Sequence, residues 1–255
     1  MRPVKISIII PTYNERENIE KLIPLIDVYL KGLDYEIIVV DDNSPDGTAA
    51  VAEALSSKYP VRVVKRPRKM GLSSAIHSGI RVASGEAIVV MDADFQHHPS
   101  LIPRLVKRLE ECDVVIASRY VRGGGVRGFT LWRRLMSIGA TLLARLLVGG
   151  CRGVKDPVSG YFAARRELVA SWSPLEPEGY KVLVEILGTL RPRRVCEEPY
   201  VFERRAAGES KLGKRVVLSY VKTLYKLNKT GFLTLVLVAV GATAALVYLL
   251  ISLLA

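Results

Sequence analysis

Along the first 120 residues, short apolar runs alternate with stretches whose apolar residues recur three or four positions apart. The runs at 5–10, 35–40, 61–64, 86–91 and 113–117 are mostly continuous and rich in Ile and Val, as strands covered on both faces are. Between them, 15–30, 46–58, 72–83 and 100–109 carry the spacing of amphipathic helices. This alternation predicts an α/β fold, a Rossmann-like and mostly parallel sheet with helices on both faces.

In such a sheet ligands bind beyond the carboxyl ends of the strands. Polar clusters fall there: "PTYNERE" after the first run, "DDNSPDG" after the second, "DADFQHH" after the fourth and "SRYVRGG" after the fifth. Their convergence on one edge predicts an active-site rim. The G-x-G-x-x-G dinucleotide fingerprint is read as absent, which argues against a nicotinamide enzyme. Asp92 and Asp94, with Gln96 two positions on, have two readings. They are turn formers that stop a strand, or they hold a divalent metal whose shell phosphate oxygens complete.

Residues 121–210 are less regular. "RGGGVRG" reads as a mobile loop, and 129–148 as a helix with Trp132, Leu135, Leu142, Leu143 and Leu146 beside Arg133 and Arg134. "DPVSGYFAARRE" reads as a turn feeding a short strand or helix. The far end is different in kind: "FLTLVLVAVGATAALVYLLISLL", 232–254, has 23 residues without a charge. As a helix it would run roughly 34 Å, enough for a bilayer core of about 30 Å, so 230–255 is predicted to be a single transmembrane helix.

The net charge of +12, from 37 Lys and Arg against 25 Asp and Glu, therefore sits in residues 1–229. Six basic residues and no acidic one lie between Lys211 and Lys229. Arg215, Lys222, Lys226 and Lys229 share one helical stripe, while Val217, Tyr220, Val221 and Leu224 share another. Such a segment suits an anionic leaflet, and the excess of cations places residues 1–229 on the cytoplasmic side of the cell membrane. Nucleic acid would be a rival partner, but no aromatic–basic binding motif supports it. Three widely spaced cysteines without a CxxC predict neither a disulfide framework nor a zinc site, and a reducing compartment.

The motifs "PTYNE", "VVDDNSPDG", "MDADFQHHP", "ASRY" and "RAAGESKLG" resemble, in order and spacing, those of the inverting GT-A-type glycosyltransferases of the dolichol-phosphate-mannose synthase group. The resemblance covers about residues 5–215. It implies a GT-A catalytic domain over 1–210, a basic interface helix over 211–229 and the anchor over 230–255. The activity it implies is metal-dependent, inverting transfer of mannose from GDP-mannose to dolichyl or another polyprenyl phosphate, for glycosylation. By the same resemblance Pro11, Tyr13 and Glu15 line the nucleobase and ribose pocket, and Val40 and Asp42 meet the base, with Asp41 helping to hold the turn. Asp92 and Ala93 reach the ribose and diphosphate; Asp92, Asp94 and Gln96 hold Mg²⁺ or Mn²⁺. Arg205 and Lys211 close over the donor phosphates, and Arg119, Arg133 and Ser137 hold the acceptor phosphate. Asp94, Arg119 and Arg133 carry the catalysis. From the residues themselves, His97 and His98 beside Pro99 are expected to cap the next helix, and 129–148 to lie at the membrane interface, with an ordinary core helix as the alternative.

The sister activity, hexose transfer from a UDP-sugar to the same kind of acceptor, fits these motifs as well. A processive polysaccharide synthase would need several spans and a Q-x-x-R-W motif, and the chain has neither. A non-catalytic membrane-surface module would explain the basic stripe but leave the acidic rim without a purpose. No protein partner is implied.

Overall fold

The computed structural model describes residues 4–203 and 213–254, apart from the side chains at 214, 244, 246–251, 253 and 254. The five predicted runs form β1 (Ile6–Thr12), β2 (Tyr35–Asp41), β3 (Val61–Lys65), β4 (Ala87–Val90) and β5 (Val114–Ser118). The helices between them are α1 (Arg16–Leu30), α2 (Thr48–Leu55), α3 (Leu72–Val82) and α4 (Ile102–Arg108). Beyond them come β6 (Gly125–Val126), α5 (Leu131–Leu147), β7 (Phe162–Arg165), α6 (Arg166–Val169) and α7 (Val182–Leu190). The chain closes with β8 (Val195–Pro199), β9 (Val201–Phe202), α8 (Lys214–Leu227) and α9 (Lys229–Leu254).

The sheet runs β3-β2-β1-β4-β7-β5-β8. β1 pairs in parallel with β2 and β4, β2 with β3, and β5 with β8; β7 is antiparallel to both β4 and β5. Strand alternation sorts the core into two layers. Ile9, Ile38, Val40, Ile88 and Val90 meet Ala75, Ile76 and Ile80 of α3 and the inner side of α7. Ile8, Ile10, Ile37, Val39 and Val89 meet Ile19, Leu22, Ile23 and Ile26 of α1 and Leu105 of α4. Because β1, β2, β4 and β5 point the same way, their carboxyl ends lie along one edge.

The structure corrects three expectations here. "RGGGVRG" is not simply a mobile loop: Gly125 and Val126 pair with Val201 and Phe202 in a two-stranded ribbon. Gly123, Gly125 and Gly128 even have the dinucleotide-fingerprint spacing, but they follow β5 and enter this ribbon instead of opening a helix. Cys112 and Cys196, predicted to stay unpaired, form a disulfide with Cα atoms 6.1 Å apart across 84 residues of sequence. Cys151 remains a buried thiol, and burial pushes its pKa up to about 12, so it is not a nucleophile.

The third correction concerns α8. Its predicted apolar stripe splits: Tyr220 and Leu224 turn into the core with Val216 and Thr223, while Val217, Leu218 and Tyr225 stay exposed. Tyr220 Oη donates to the Ala140 carbonyl of α5 (2.6 Å), which fixes the two helices together. Lys226 is not left to face a leaflet either, since its ammonium binds Glu176 (2.7 Å) and the Leu175 carbonyl (2.7 Å). α9 continues as one helix of 26 residues. Among the described residues no helix is long and apolar enough to cross a membrane, and much of the predicted span lies beyond the described side chains.

Glu185 of α7 shows how these outer parts are tied to the body. Its fully buried carboxylate accepts from Leu175 N (2.9 Å) and Thr223 Oγ1 (3.5 Å), joining α7 to α8 and to the loop before it. Burial, with repulsion from Glu176 as a smaller contribution, raises its pKa to about 7 against the hydrogen bonds it accepts. The folded state therefore holds the proton more tightly than the unfolded chain. That stabilisation is complete below the unfolded value near 4.5 and is lost as pH rises through about 7. Glu185→Gln keeps an oxygen for the Leu175 amide, and its unfolding free energy should lose a pH dependence of about 3 kcal/mol. Denaturant melts across that pH range check this; an unchanged slope would contradict it.

Candidate active site

The rim is built from turns whose side chains fold back on their own backbone. After β1, Asn14 takes a positive φ of 59° and its amide donates to Ser44 Oγ (3.0 Å), while the Glu15 amide donates to Thr48 Oγ1 (3.0 Å). The Glu15 carboxylate accepts from Asn18 (2.7 Å). The Lys69 ammonium stands 3.8 Å over the Tyr13 ring. After β2, Asp41 accepts from Thr12 Oγ1 (3.1 Å) and from the Ser44 amide (2.9 Å), so it holds that turn.

Asp42 sits deeper. Its buried carboxylate pairs with Arg66 and accepts from the amides of Met70 and Gly71, each at 3.1 Å. Gly71 has φ +97°, and a Cβ there would fall 2.4 Å from Glu178 Cα, so only glycine lets this loop pack where it does. Pro11, one residue before the end of β1, lies beside Val40 of β2, which places both against this corner. Pro11, Tyr13, Glu15, Val40 and Asp42 thus gather at the β1–β2 end of the rim.

At the end of β4 the backbone is constrained. Phe95 has φ +62°, an uncommon conformation for an aromatic residue, and it turns the chain between Asp94 and Gln96. Asp94 is buried and its Oδ1 accepts from the Gln96 amide (3.1 Å). Gln96 Nε2 donates to the Glu203 carbonyl (3.0 Å), so Oε1 is the end that can meet a cation. Asp92, more open, is fixed through its backbone, whose amide donates to His97 Nδ1 (2.9 Å). A Cβ on Gly160 would crowd the His97 ring at 3.3 Å while meeting Asp92 Oδ2 at an ordinary 3.7 Å, so this glycine gives room to the histidine that supports Asp92.

Two carboxylates and an amide oxygen are hard donors suited to Mg²⁺ or Mn²⁺. Among the described residues no three acidic, His or Cys side chains could hold a metal by themselves, so other oxygens would have to complete a shell. His97 does not cap the next helix as predicted. It is buried, stacked on Tyr161 at 5.0 Å, and supports Asp92; His98 is the cap, accepting from Ser100 N (3.3 Å).

The β5 end carries cations. Arg119 is buried, and Asp156 receives it bidentately, Nε and Nη2 each at 2.7 Å, and its backbone amide at 3.0 Å. Burial works against this guanidinium's charge, but the Asp156 bonds and charge outweigh it and raise the pKa. Asp156 is held in turn by its own amide donating to Glu197 Oε1 (2.9 Å). Arg119 lies 5.7 Å over Phe202, which packs on Phe129 (5.3 Å), and Arg133 lies 4.3 Å over Phe129. Ser137 Oγ accepts from Tyr120 Oη (2.8 Å), fixing α5 against β5. Of the three residues predicted together, Arg119 and Arg133 are linked through Phe202 and Phe129, and Ser137 is bonded to Tyr120, the sequence neighbour of Arg119. Arg205 and Lys211 lie outside the described residues.

Sequence reasoning missed Asp156, Glu197, Arg66 and Lys181. Lys181 is the N-cap of α7, and its ammonium donates to the Val158 carbonyl (3.2 Å). "DPVSG" announced a turn, but nothing in its spacing showed that the Asp156 carboxylate turns back onto Arg119.

A mostly parallel sheet with hard oxygen donors after β4, and with arginines after β5 and on α5, carries the groups that an anionic, nucleotide-like ligand would need. The family model described as Glycosyl transferase family 2 matches residues 7–171, and the chain belongs to that family and is a glycosyltransferase. Its relatives narrow the class. The chain is 49% identical over 227 residues to the dolichol-phosphate mannosyltransferase of Pyrococcus furiosus, covering 89% of this chain and 64% of that protein. It is 34% identical to the protein of the same name from Saccharomyces cerevisiae, covering 88% of this chain and 87% of that one. These place it in the dolichol-phosphate mannosyltransferase group, although it spans less than two thirds of the Pyrococcus relative's length. Among solved structures, glucosyl-3-phosphoglycerate synthase from Mycobacterium tuberculosis, in complex with Mn²⁺, UDP-glucose and phosphoglyceric acid, superposes with a TM-score of 0.67. That likeness has 27% identity and covers 88% of this chain and 79% of the other; the fold is GT-A-like.

Proposed function

We propose that the chain transfers mannose from GDP-mannose to the phosphate of a dolichyl or other polyprenyl phosphate, inverting the anomeric carbon, at the cytoplasmic face of the cell membrane. The observation that carries this reading is Arg119. A guanidinium clamped by a buried carboxylate is fixed in aim, and it is bridged to Arg133 at the start of a helix whose outer side is apolar. The relatives' name supports the sugar and the lipid acceptor. The solved neighbour's UDP-glucose keeps a uridine donor as the competing reading.

In this reading Pro11, Tyr13, Glu15, Val40 and Asp42 receive the nucleoside, and Arg205 and Lys211 reach the donor phosphates. A Mn²⁺ or Mg²⁺ held by Asp92, Asp94 and Gln96 Oε1 would offset the negative charge that develops on the departing diphosphate. The neighbour's Mn²⁺ supports such an ion. Arg119, Arg133 and Ser137 hold the acceptor. A phosphate monoester has a second pKa of about 6, so its oxygen is already anionic at neutral pH and no side chain needs to remove a proton. The protein's task is to bring two anions into line, which cations do and a carboxylate base would hinder.

The lipid's chain favours the bilayer by about 0.8 kcal/mol per CH₂, so the site must go to the membrane. α5 suits that task. Leu131 and Trp132 are 76% and 71% exposed, and Leu135, Leu142 and Leu146 are exposed on the same helix, while Thr141, Ala144 and Leu147 form its buried side. α9 presents Leu233, Val236, Leu237 and Val240. Asn228, between α8 and α9, donates to the Leu147 carbonyl (2.8 Å), which ties α9 to the end of α5. With α9 as anchor, these surfaces would lie on one leaflet. Trp132→Ser and Leu135→Ser should each weaken flotation with anionic vesicles about tenfold; unchanged flotation would remove α5 from the interface.

The test of the function is acceptor and donor choice. Label from GDP-mannose should enter the organic phase with dolichyl phosphate and not with dolichol. Transfer from UDP-glucose alone would establish the competing donor. Equal transfer to dolichol would refute the phosphate acceptor.

A further inference from the structure

Lys181 is one cation among the described residues to which the proposed chemistry gives no role. It stands at the start of α7, where the chain arrives from a segment that spans the site: the Gly179 carbonyl accepts from Ser73 N (3.1 Å) and Ser73 Oγ (2.9 Å) on the nucleotide side. On the other side Lys181 reaches the Val158 carbonyl, two residues beyond Asp156. The side chain is partly buried, and no described carboxylate is within ion-pair distance of its ammonium. One carbonyl satisfies one of three N–H donors. Burial, and then the charge of Arg119, lower its pKa to about 8, with Arg133 adding to the repulsion and Asp156 and Asp92 opposing it.

An ammonium that feels the charge of Arg119 and Arg133, is only partly offset by Asp156 and Asp92, and is bonded to no described carboxylate is costly unless something anionic completes the group. Lysine is also the side chain that delivers a point charge without demanding planar geometry. We infer that Lys181 is a third cationic ligand of the acceptor phosphate, acting beside Arg119 and Arg133. The inference rests on the phosphate-acceptor reading. It adds a ligand from α7, an element that the rim motifs do not include. The Val158 carbonyl orients the ammonium, and the Arg119–Asp156 pair, already neutral as a unit, leaves Lys181 to supply charge.

The experiment measures equilibrium binding of farnesyl phosphate and, separately, of GDP with Mn²⁺, on the full chain and on Lys181→Met, Lys181→Gln and Lys181→Arg. Thermal melts of each protein accompany the binding curves. Met and Gln should weaken farnesyl phosphate about 10- to 100-fold, with GDP changed less than about twofold and Arg retaining most of the affinity. Gln can still donate to Val158, so wild-type binding by Gln would reduce Lys181 to a structural tie. A matching loss of GDP binding would assign Lys181 to the donor instead. Wild-type binding by all three variants would overturn the inference outright. If the wild type binds GDP but no farnesyl phosphate, the phosphate-acceptor reading fails first and the inference with it.

Discussion

Asp156→Ala is expected to lower the unfolding free energy by about 3–5 kcal/mol, because it leaves the buried Arg119 guanidinium without its counter-ion. The loss is larger than that of a surface pair, because Asp156 has no exposed surface and all three of its bonds to Arg119 disappear together. Function should suffer separately. With the clamp gone Arg119 can rotate away, so the surviving folded fraction should show a raised KM for the lipid phosphate and a nearly unchanged KM for the donor. Asp156→Asn keeps the volume and one carbonyl acceptor, and should fall between parent and alanine variant on both scales. Urea melts with acceptor and donor titrations check this. A parent-like melt would mean that Arg119 finds water or another carboxylate, and the picture of a fixed guanidinium would be wrong.

Asp94→Asn is the second large effect, and its signature is the reverse. The side chain is isosteric and can keep accepting from the Gln96 amide, so the fold and its melting temperature should change little. What goes is a negative charge that the proposed Mn²⁺ or Mg²⁺ would face. If that interaction is worth several kcal/mol in the transition state, kcat/KM should fall on the order of 10³-fold. Raising Mn²⁺ should recover only part of it, and binding to anionic vesicles should be unaffected. Loss of vesicle binding would indicate damage to the fold; retained transfer would move the metal away from Asp94.

How far the sequence carries depends on what each element faces. β1, β2, β4 and β5 are buried on both sides, so their apolar runs and the polar turns after them could be read directly. β8 could not: "VCEEP" lies at the sheet edge, and its glutamates have partners that periodicity does not reveal. Glu197 caps the Lys155 and Asp156 amides, and Glu198 pairs with Arg104. β7 is four residues, two of them alanine, and its antiparallel entry between β4 and β5 is a long-range event.

The disulfide joins residues too distant in sequence for spacing to suggest. The reducing compartment inferred from the cysteines does not follow from them, since intracellular disulfides are frequent in hyperthermophiles. The polar clusters after β4 and β5 were legible because each follows directly on a continuous apolar run. The residues that hold them, His97 and Asp156, were not, because support comes from parts of the chain that meet only on folding. The helical period of α8 was right, but the side of that helix which faces the core could not be read from one helix in isolation.

The most direct test of the account is transfer by the detergent-solubilised full chain, given labelled GDP-mannose and dolichyl phosphate, with and without Mn²⁺. The account predicts label in the organic phase only when metal is present, and almost none from Asp94→Asn under the same conditions. Transfer that persists after chelation, or that Asp94→Asn supports at the parental rate, would contradict it.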